Sequence, residues 1–512
     1  MKNKLARYKT GKNIATIVFL MIANFLVITA VWLKIRFGTM DMTTILFQLK
    51  VPMGGADPSN FYEIFILLFT IGPAMLVVEL SILFLVAKWR KKRLESGKSV
   101  KMVNRLLSLR RIGAVLLMIA AICFIGYRLH IVKYALSQFG NSPIYDDEYR
   151  APQDVAITAP ETPRNLIYIY MESMEISYSD TKHGGVSATD LIPEMTKLAN
   201  ENVNFTPEGS ELLNGAHPTT GTTWTMASLV AQTAGVPLTI PIGQNAMGKR
   251  DYKTFLPGVY TLGQVLRREG YEMAFLIGSE KEFSGADIYL STHGEYDLYD
   301  WNTYLDNGKL PKGYKQWWGF EDEKLYEFAK DELTELAAKG KPFAFTMMTM
   351  DTHFTNGYRC RLCPDTHDSQ YSNVISCASM QLDSFLAWLS EQPFYENTTI
   401  VIVGDHPTMD TKYTDNLEYY TDQYQRRSYC AIVNSAIPYT LSYAREFTSM
   451  DMYPTTLAAM GFKIEGNRLG IGVNLFSEEQ TMYEKYGQKK LDDLLEERSD
   501  FYDTLIYGES AK

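Results

Sequence analysis

The sequence predicts an α/β fold with a mainly parallel central sheet, preceded by an all-α transmembrane region. Continuous apolar runs of strand length recur after residue 164, and amphipathic helical patterns alternate with them. Strands that are apolar throughout belong to a sheet covered on both faces by helices. Ahead of these, three long apolar spans occur before residue 140.

At 512 residues the chain exceeds one compact domain. Its net charge of −9 argues against nucleic acid as a partner. Two of the spans, Ile14 to Trp32 and Ile64 to Ala87, reach the ~20 apolar residues that a bilayer crossing needs. The third, from Ile112 to Tyr127, is shorter and is extended by "RLHIVKYAL", where Arg128 and Lys133 can snorkel. A cleaved signal peptide is the alternative for the first span; two further spans and the lack of a small-residue cleavage site argue against it. Residues 1–137 are therefore expected to be a membrane anchor with helices at about 14–34, 62–88 and 112–135. Lys and Arg crowd the N-terminus and the 88–111 loop, whereas the loop from Gly38 to Asn60 carries only Lys50. The positive-inside rule puts the first two in the cytoplasm, so the remainder of the chain lies outside it. Glu79, within the second span, reads either as functional or as a pairing residue between helices.

Residues 138–163 are rich in Pro, Asp and Thr and read as an extended linker. Beyond it the strand candidates are 166–171, 273–277, 343–350, 400–403 and 429–433. Helical patterns cover 223–234, 261–269, 321–339, 374–391 and 451–460. The catalytic domain is expected over 164–480. An amphipathic C-terminal helix within 481–512 should pack on it.

Sites in such sheets form where loops leave the carboxyl ends of strands. Three strands end in ionisable residues there: "LIYIYM" runs into Glu172, "FAFTMMTM" into Asp351 and His353, and "IVIVG" into Asp405 and His406. Each alone can be a cap or a structural hydrogen bond. Together they form a hard-to-borderline donor set suited to Mn²⁺, Zn²⁺ or Mg²⁺. In "HPTTGTTWTMASLVAQTAGVPL" (217–238), Thr222 precedes a helical run that Gly235 and Pro237 stop. The residue is an N-cap on the plain reading. The same position aims a hydroxyl into the positive end of a helix, where an anion is welcome.

Of five cysteines, Cys123 falls in a span, and Cys360, Cys363, Cys377 and Cys430 fall outside. "CRLC" (360–363) looks like half a zinc site, but no second Cys pair or spaced His pair follows. The expectation is a disulfide closing the loop to Cys377, with Cys360 or Cys363 as its partner.

These features together resemble the membrane phosphoglycerol transferase and lipoteichoic acid synthase branch of the alkaline-phosphatase/sulfatase superfamily. The resemblance spans roughly Asn165 to Ser477 and rests on "NLIYIYMES", "TTWTMASLVAQTAGVPL", "GSEKEFSG", "MDTHFTNGY", "VGDHP", "DMYPTTLAAMGF" and "GIGVNLFS". It implies a three-layer domain in which Glu172, Asp405 and His406 hold a divalent cation, Mn²⁺ foremost, with Zn²⁺ or Mg²⁺ as alternatives. It also implies that Thr222 completes the metal shell and is the nucleophile, with Thr225 three residues on and Thr223 and Thr219 as other candidates. His353 would bind phosphate or protonate the leaving group, and Ser279 and Asp351 would contact substrate.

The implied reaction moves glycerophosphate from phosphatidylglycerol, through a covalent threonine intermediate, to a glycan or glycerophosphate-chain acceptor. The implied setting is a multi-pass protein of a bacterial cell membrane with its catalytic domain outside. Two departures stand out. The segment 277–287 lacks the His, Trp and Arg phosphate contacts of lipoteichoic acid synthases, and three spans replace the usual five. A sulfatase would need a C/S-x-P/A-x-R pattern, which is missing near 217–230. A phosphodiesterase using water as acceptor, and an inactive anchored scaffold, are the other readings. The exposed aromatics Trp317 and Trp318 could touch headgroups or pack under a loop.

Overall fold

The computed structural model describes residues 2–37, 58–97, 99, 101–128, 130–239 and 255–506. Most of the Gly38 to Asn60 loop, used above for charge asymmetry, lies outside the described residues. The chain divides into two compact units, one helical at the N-terminus and one from Leu136 onward.

The helical unit contains α1 (Lys2–Phe37), α2 (Pro58–Glu95) and α3 (Lys101–Arg128). Two of its helices are long and apolar enough to cross a membrane, over Ile14–Trp32 and Ile64–Glu95. The third expected span is bent by 58° between Ile112–Tyr127 and Ile131–Ser137, so it counts as a crossing only if the bent pair is one span. Many of the large apolar side chains are exposed, among them Phe65, Phe69, Phe84 and Leu116. Apolar surface of that extent is stable against lipid rather than water. Glu79 takes the pairing role: Asn24 Nδ2 donates to its Oε1 at 3.3 Å, linking α1 to α2.

The larger unit is built on a seven-stranded sheet. Its strands are β1 (Asn165–Met171), β2 (Gly215–Ala216), β3 (Glu272–Ile277), β4 (Asp297–Tyr299), β5 (Phe343–Met348), β6 (Thr398–Gly404) and β7 (Ser428–Val433). Their order across the sheet is β2-β7-β6-β1-β5-β3-β4. All neighbours are parallel except the pairs β6–β7 and β2–β7. Every residue of β1, β5, β6 and β7 is buried. In β1, Leu166, Tyr168 and Tyr170 face one apolar layer, and Ile167, Ile169 and Met171 face the other. The first layer includes α4 (Thr225–Ala234), and the second includes α5 (Asp322–Ala338) and α6 (Gln370–Ser390). The result is a three-layer α/β/α domain, and the period-2 alternation explains why the strands had to be apolar throughout.

The segment 138–163, expected as an extended linker, instead carries a short helix, Ile144–Glu148, and packs. Tyr145 and Tyr149 are buried against Phe501 and Tyr502. Glu148 accepts from Arg468 at 2.7 Å and from Tyr486 at 2.8 Å, and pairs closely with Lys485. The polar composition that read as a linker supplies these contacts. The C-terminal helix, α7 (Met482–Glu496), is interrupted at Gly487, where φ is +68°, and buries Leu491, Leu494 and Leu495 in the domain core.

Candidate active site

Strand register brings the first acidic residues together. Met171, the last residue of β1, pairs with Gly404, the last of β6, so Glu172 and Asp405 leave adjacent strands at the same level. Gly404 is required there: a Cβ would lie 1.8 Å from the Met174 carbonyl oxygen. That close approach folds the Glu172 loop over the end of β6, and Ser173 N donates to Asp405 Oδ1 at 2.8 Å.

One ligand atom from each of Glu172, Asp405 and His406 falls within 4.8 Å of the others, and all three residues are buried. His406 Nε2 lies 3.3 Å from Asp405 Oδ2 and 3.9 Å from Glu172 Oε1. His406 Nδ1 is 3.0 Å from the Pro407 carbonyl, so Nδ1 carries the proton and the Nε2 lone pair faces the carboxylates. Burial pushes the Asp405 carboxyl up, to about 7, and Glu172 adds to the effect. Burial alone would lower the His406 imidazole, but Asp405 and Glu172 outweigh it and hold it above its ordinary value. Asp405 Oδ2 is buried without a hydrogen-bond partner. A buried carboxylate oxygen of that kind is costly unless a cation meets it. The donor set therefore fits a divalent ion.

A hydroxyl joins the group, and it is that of Thr225. Thr225 Oγ1 lies 3.5 Å from Glu172 Oε2 and 3.4 Å from His406 Nε2. Trp224 is the extended residue before α4, which makes Thr225 its first helical residue. The hydroxyl thus sits among the unsatisfied N–H groups of a helix start, where the dipole favours negative charge. The helix is fixed from behind: Ser228 Oγ donates to the Asp405 carbonyl at 2.5 Å, and Gly235, at φ +65°, closes its end on Ala231.

Thr222, expected in the metal shell, is occupied elsewhere. Its hydroxyl donates to the Thr219 carbonyl at 2.9 Å and accepts from Thr219 N at 3.0 Å. It is 3% exposed, whereas Thr225 is half-buried. Thr222 shapes the turn: Gly221, at φ +78°, brings the chain so close to Pro237 that a Cβ would stand 2.8 Å from the proline Cβ. The signal that separates the two threonines is the helix boundary, one turn later than the capping pattern implies.

The loop after β5 approaches from the other side. Thr352 Oγ1 donates to the Glu172 carbonyl at 2.5 Å, which ties His353's neighbour to the strand end. His353 is half-buried, its Nδ1 lies 2.7 Å from the Phe354 carbonyl, and its ring packs on Trp318 at 4.7 Å. Trp318 also meets Phe283 at 5.6 Å, and Trp317 meets Tyr358 at 6.2 Å. Trp318 thus packs against His353, while Trp317 packs on Tyr358. Ser279 is buried and its hydroxyl turns to the Glu280 carbonyl at 3.4 Å. Asp351 is buried too, with both carboxylate oxygens unpartnered.

The sheet order, the strand-end carboxylates and the helix-borne hydroxyl define a class of protein. Residues 164–462, more than half of the chain, match the Sulfatase family model, and the chain belongs to the sulfatase family of the alkaline-phosphatase superfamily. Among named relatives, phosphoglycerol transferase I of Escherichia coli O127:H6 (strain E2348/69 / EPEC) is 29% identical over 368 residues, covering 68% of this chain and 45% of that protein. The chain thus matches less than half the length of that relative. Among solved structures, the integral membrane lipooligosaccharide phosphoethanolamine transferase A of Neisseria meningitidis aligns at TM-score 0.50 and 13% identity, over 94% of this chain and 87% of that one. The lipoteichoic acid synthase LtaP of Listeria monocytogenes aligns at TM-score 0.46 and 17% identity, over 63% and 79%.

Proposed function

We propose that this chain is a membrane-anchored phosphoglycerol transferase whose nucleophile is Thr225. The observation that carries the reading is the convergence of the Thr225 hydroxyl, Glu172 and His406 at the start of a helix. The resemblance to phosphoglycerol transferase I supports the choice of transferred group. Glu172, Asp405, His406 and Thr225 would hold the divalent ion, with Mn²⁺ first among the candidates for this donor set. When bound, the ion lowers the pKa of the threonine hydroxyl and neutralises charge on the phosphoryl oxygens.

In the first half-reaction Thr225 Oγ, its proton given up to solvent beforehand, forms a bond to phosphorus as the bond from phosphorus to the diacylglycerol oxygen breaks. The leaving oxygen takes a proton from His353, and glycerophosphate stays on Thr225. In the second half an acceptor hydroxyl attacks phosphorus, Thr225 leaves, and His353 recovers its proton. The N–H groups at the start of α4 stabilise the charge that develops in both halves. A diacyl donor explains the apolar helices: each buried CH₂ holds a lipid in its bilayer by ~0.8 kcal/mol, so the enzyme must meet it there. The Lys and Arg asymmetry supports placing the catalytic unit outside the cytoplasm.

The test is product analysis. The full chain in detergent, given glycerol-labelled phosphatidylglycerol, a glycan acceptor and Mn²⁺, should release diacylglycerol and label the acceptor. Free glycerophosphate alone would make the chain a hydrolase and end the transferase reading.

A further inference from the structure

Sequence spacing left "CRLC" without partners for metal binding, but the fold supplies a third sulfur. Cys377, on α6, joins Cys360 and Cys363, and the three sulfurs lie within 4.8 Å of one another in a buried cluster. Cys360 Sγ is 3.6 Å from Cys363 Sγ and 3.8 Å from Cys377 Sγ, and none of the three is covalently paired. Cys430 is apart, on β7 beside Met452.

The spacing is informative. Three thiolates on one tetrahedral zinc ion, with Zn–S about 2.3 Å, stand about 3.8 Å apart. The local backbone fits the same arrangement. Cys363 N bonds to the Cys360 carbonyl at 3.2 Å, a turn that folds both sulfurs of the pair to one side. The Gln381 amide reaches in from the next turn of α6, with Nε2 3.4 Å from Cys377 Sγ and 3.8 Å from Cys360 Sγ. Donation from an amide N–H to sulfur is the kind of outer contact that orients thiolate ligands.

The surroundings lack positive charge. Asp351, in the same loop, and Asp322, whose carboxylate accepts from Met350 N and Asp351 N, are both buried. Asp351 has no partner for either oxygen, and Gln381 Oε1 has none. Among the described residues no Lys or Arg side chain pairs with these groups; Arg361 instead pairs with Glu323, and Arg359 with Asp365. Three buried sulfurs beside unpartnered carboxylate oxygens can accept a cation as the thiols give up their protons.

We propose that Cys360, Cys363 and Cys377 form a structural site for a thiophilic divalent cation of the zinc class, separate from the Glu172–Asp405–His406 centre. The ion would pin the loop after β5 to α6. If the proposed function holds, this loop carries the proton donor His353, so the site would also set the donor's position.

The experiment uses the full chain, purified in detergent without chelator. Metal analysis should find zinc exceeding that of the Cys377→Ser variant by about one equivalent per chain. Alkylation mapping should find Cys360, Cys363 and Cys377 protected until a chelator is added. Loading with Co²⁺ should give near-ultraviolet thiolate-to-cobalt absorption that persists in Cys430→Ser and disappears in Cys377→Ser. Should Cys377→Ser fail to fold, the cobalt spectrum and the protection of the unaltered chain decide the matter. A disulfide joining any two of the three, or three freely alkylated thiols with no cobalt–thiolate band, would overturn the proposal. None of these readouts depends on catalysis, so an inactive enzyme would leave the cluster's metal test intact.

Discussion

At the scale of single residues, the account turns on two threonines three positions apart. Thr222 has its hydroxyl spent on a turn, and Thr225 holds its own against a carboxylate and an imidazole. Thr225→Ala should therefore lower turnover by about 10³-fold or more while the domain stays folded. Thr222→Ala should cost about 1 kcal/mol of stability, the usual loss for a capping or turn hydroxyl, and keep activity within about tenfold. Steady-state rates and thermal melts of the two variants check both statements. Activity lost in Thr222→Ala and kept in Thr225→Ala would return the nucleophile to Thr222. The sequence could name the segment but not the residue, because both hydroxyls suit a helix start and only the true boundary at Trp224 tells them apart. Glu172, Asp405 and His406 were legible for a simpler reason: an ionisable residue ending an apolar strand has nowhere to go except the sheet edge where sites form.

At the scale of elements, the long strands β1, β3, β5, β6 and β7 and the helices α4 to α7 were readable, since apolar runs and 3.6-residue periods are local properties, while short elements such as β2, β4 and the helix Pro193–Glu201 were not. Long-range closeness was readable only in part. Nothing local reveals that the 138–163 segment packs against α7; the nearness of Cys377 to the Cys360–Cys363 pair was expected, but as a disulfide rather than as three free thiols. The tie between Glu148 and Arg468, Lys485 and Tyr486 carries its own prediction. Burial alone would raise the Glu148 carboxyl; hydrogen bonds from Lys485, Arg468 and Tyr486 outweigh it and hold the group down to about 2. Its folded pKa is thus below the unfolded one, so its contribution to stability is complete above pH ~4.5 and is lost as pH falls toward ~2. Chemical denaturation at a series of acid pH values should show that loss in the parent and its absence in Glu148→Gln. A second prediction concerns the end of β6. Gly404→Ala drives a methyl into the Met174 carbonyl, which should destabilise the domain by about 1–3 kcal/mol or more and disturb Asp405 with it. A melting temperature equal to the parent's would mean the strand end has room that the structure denies.

At the scale of the whole molecule, two units are joined in one chain: a helical unit with apolar side chains turned outward, and an α/β unit with its apolar residues inside. The division explains why bulk composition said so little about function, since each unit offsets the other in charge and hydropathy. It also makes metal dependence a property of the α/β unit alone. Stripping the protein with EDTA should abolish turnover and lower stability by about 3 kcal/mol relative to metal at a hundredfold excess over its Kd, with Mn²⁺ restoring both. Activity that survives exhaustive chelation would remove the metal from the account. The most direct measurement of the central claim is to trap the covalent intermediate on the full chain with labelled phosphatidylglycerol and no acceptor, then map the modified peptide. The account predicts a glycerophosphoryl group on Thr225; the same group on Thr222, or no adduct under conditions of steady turnover, would contradict it.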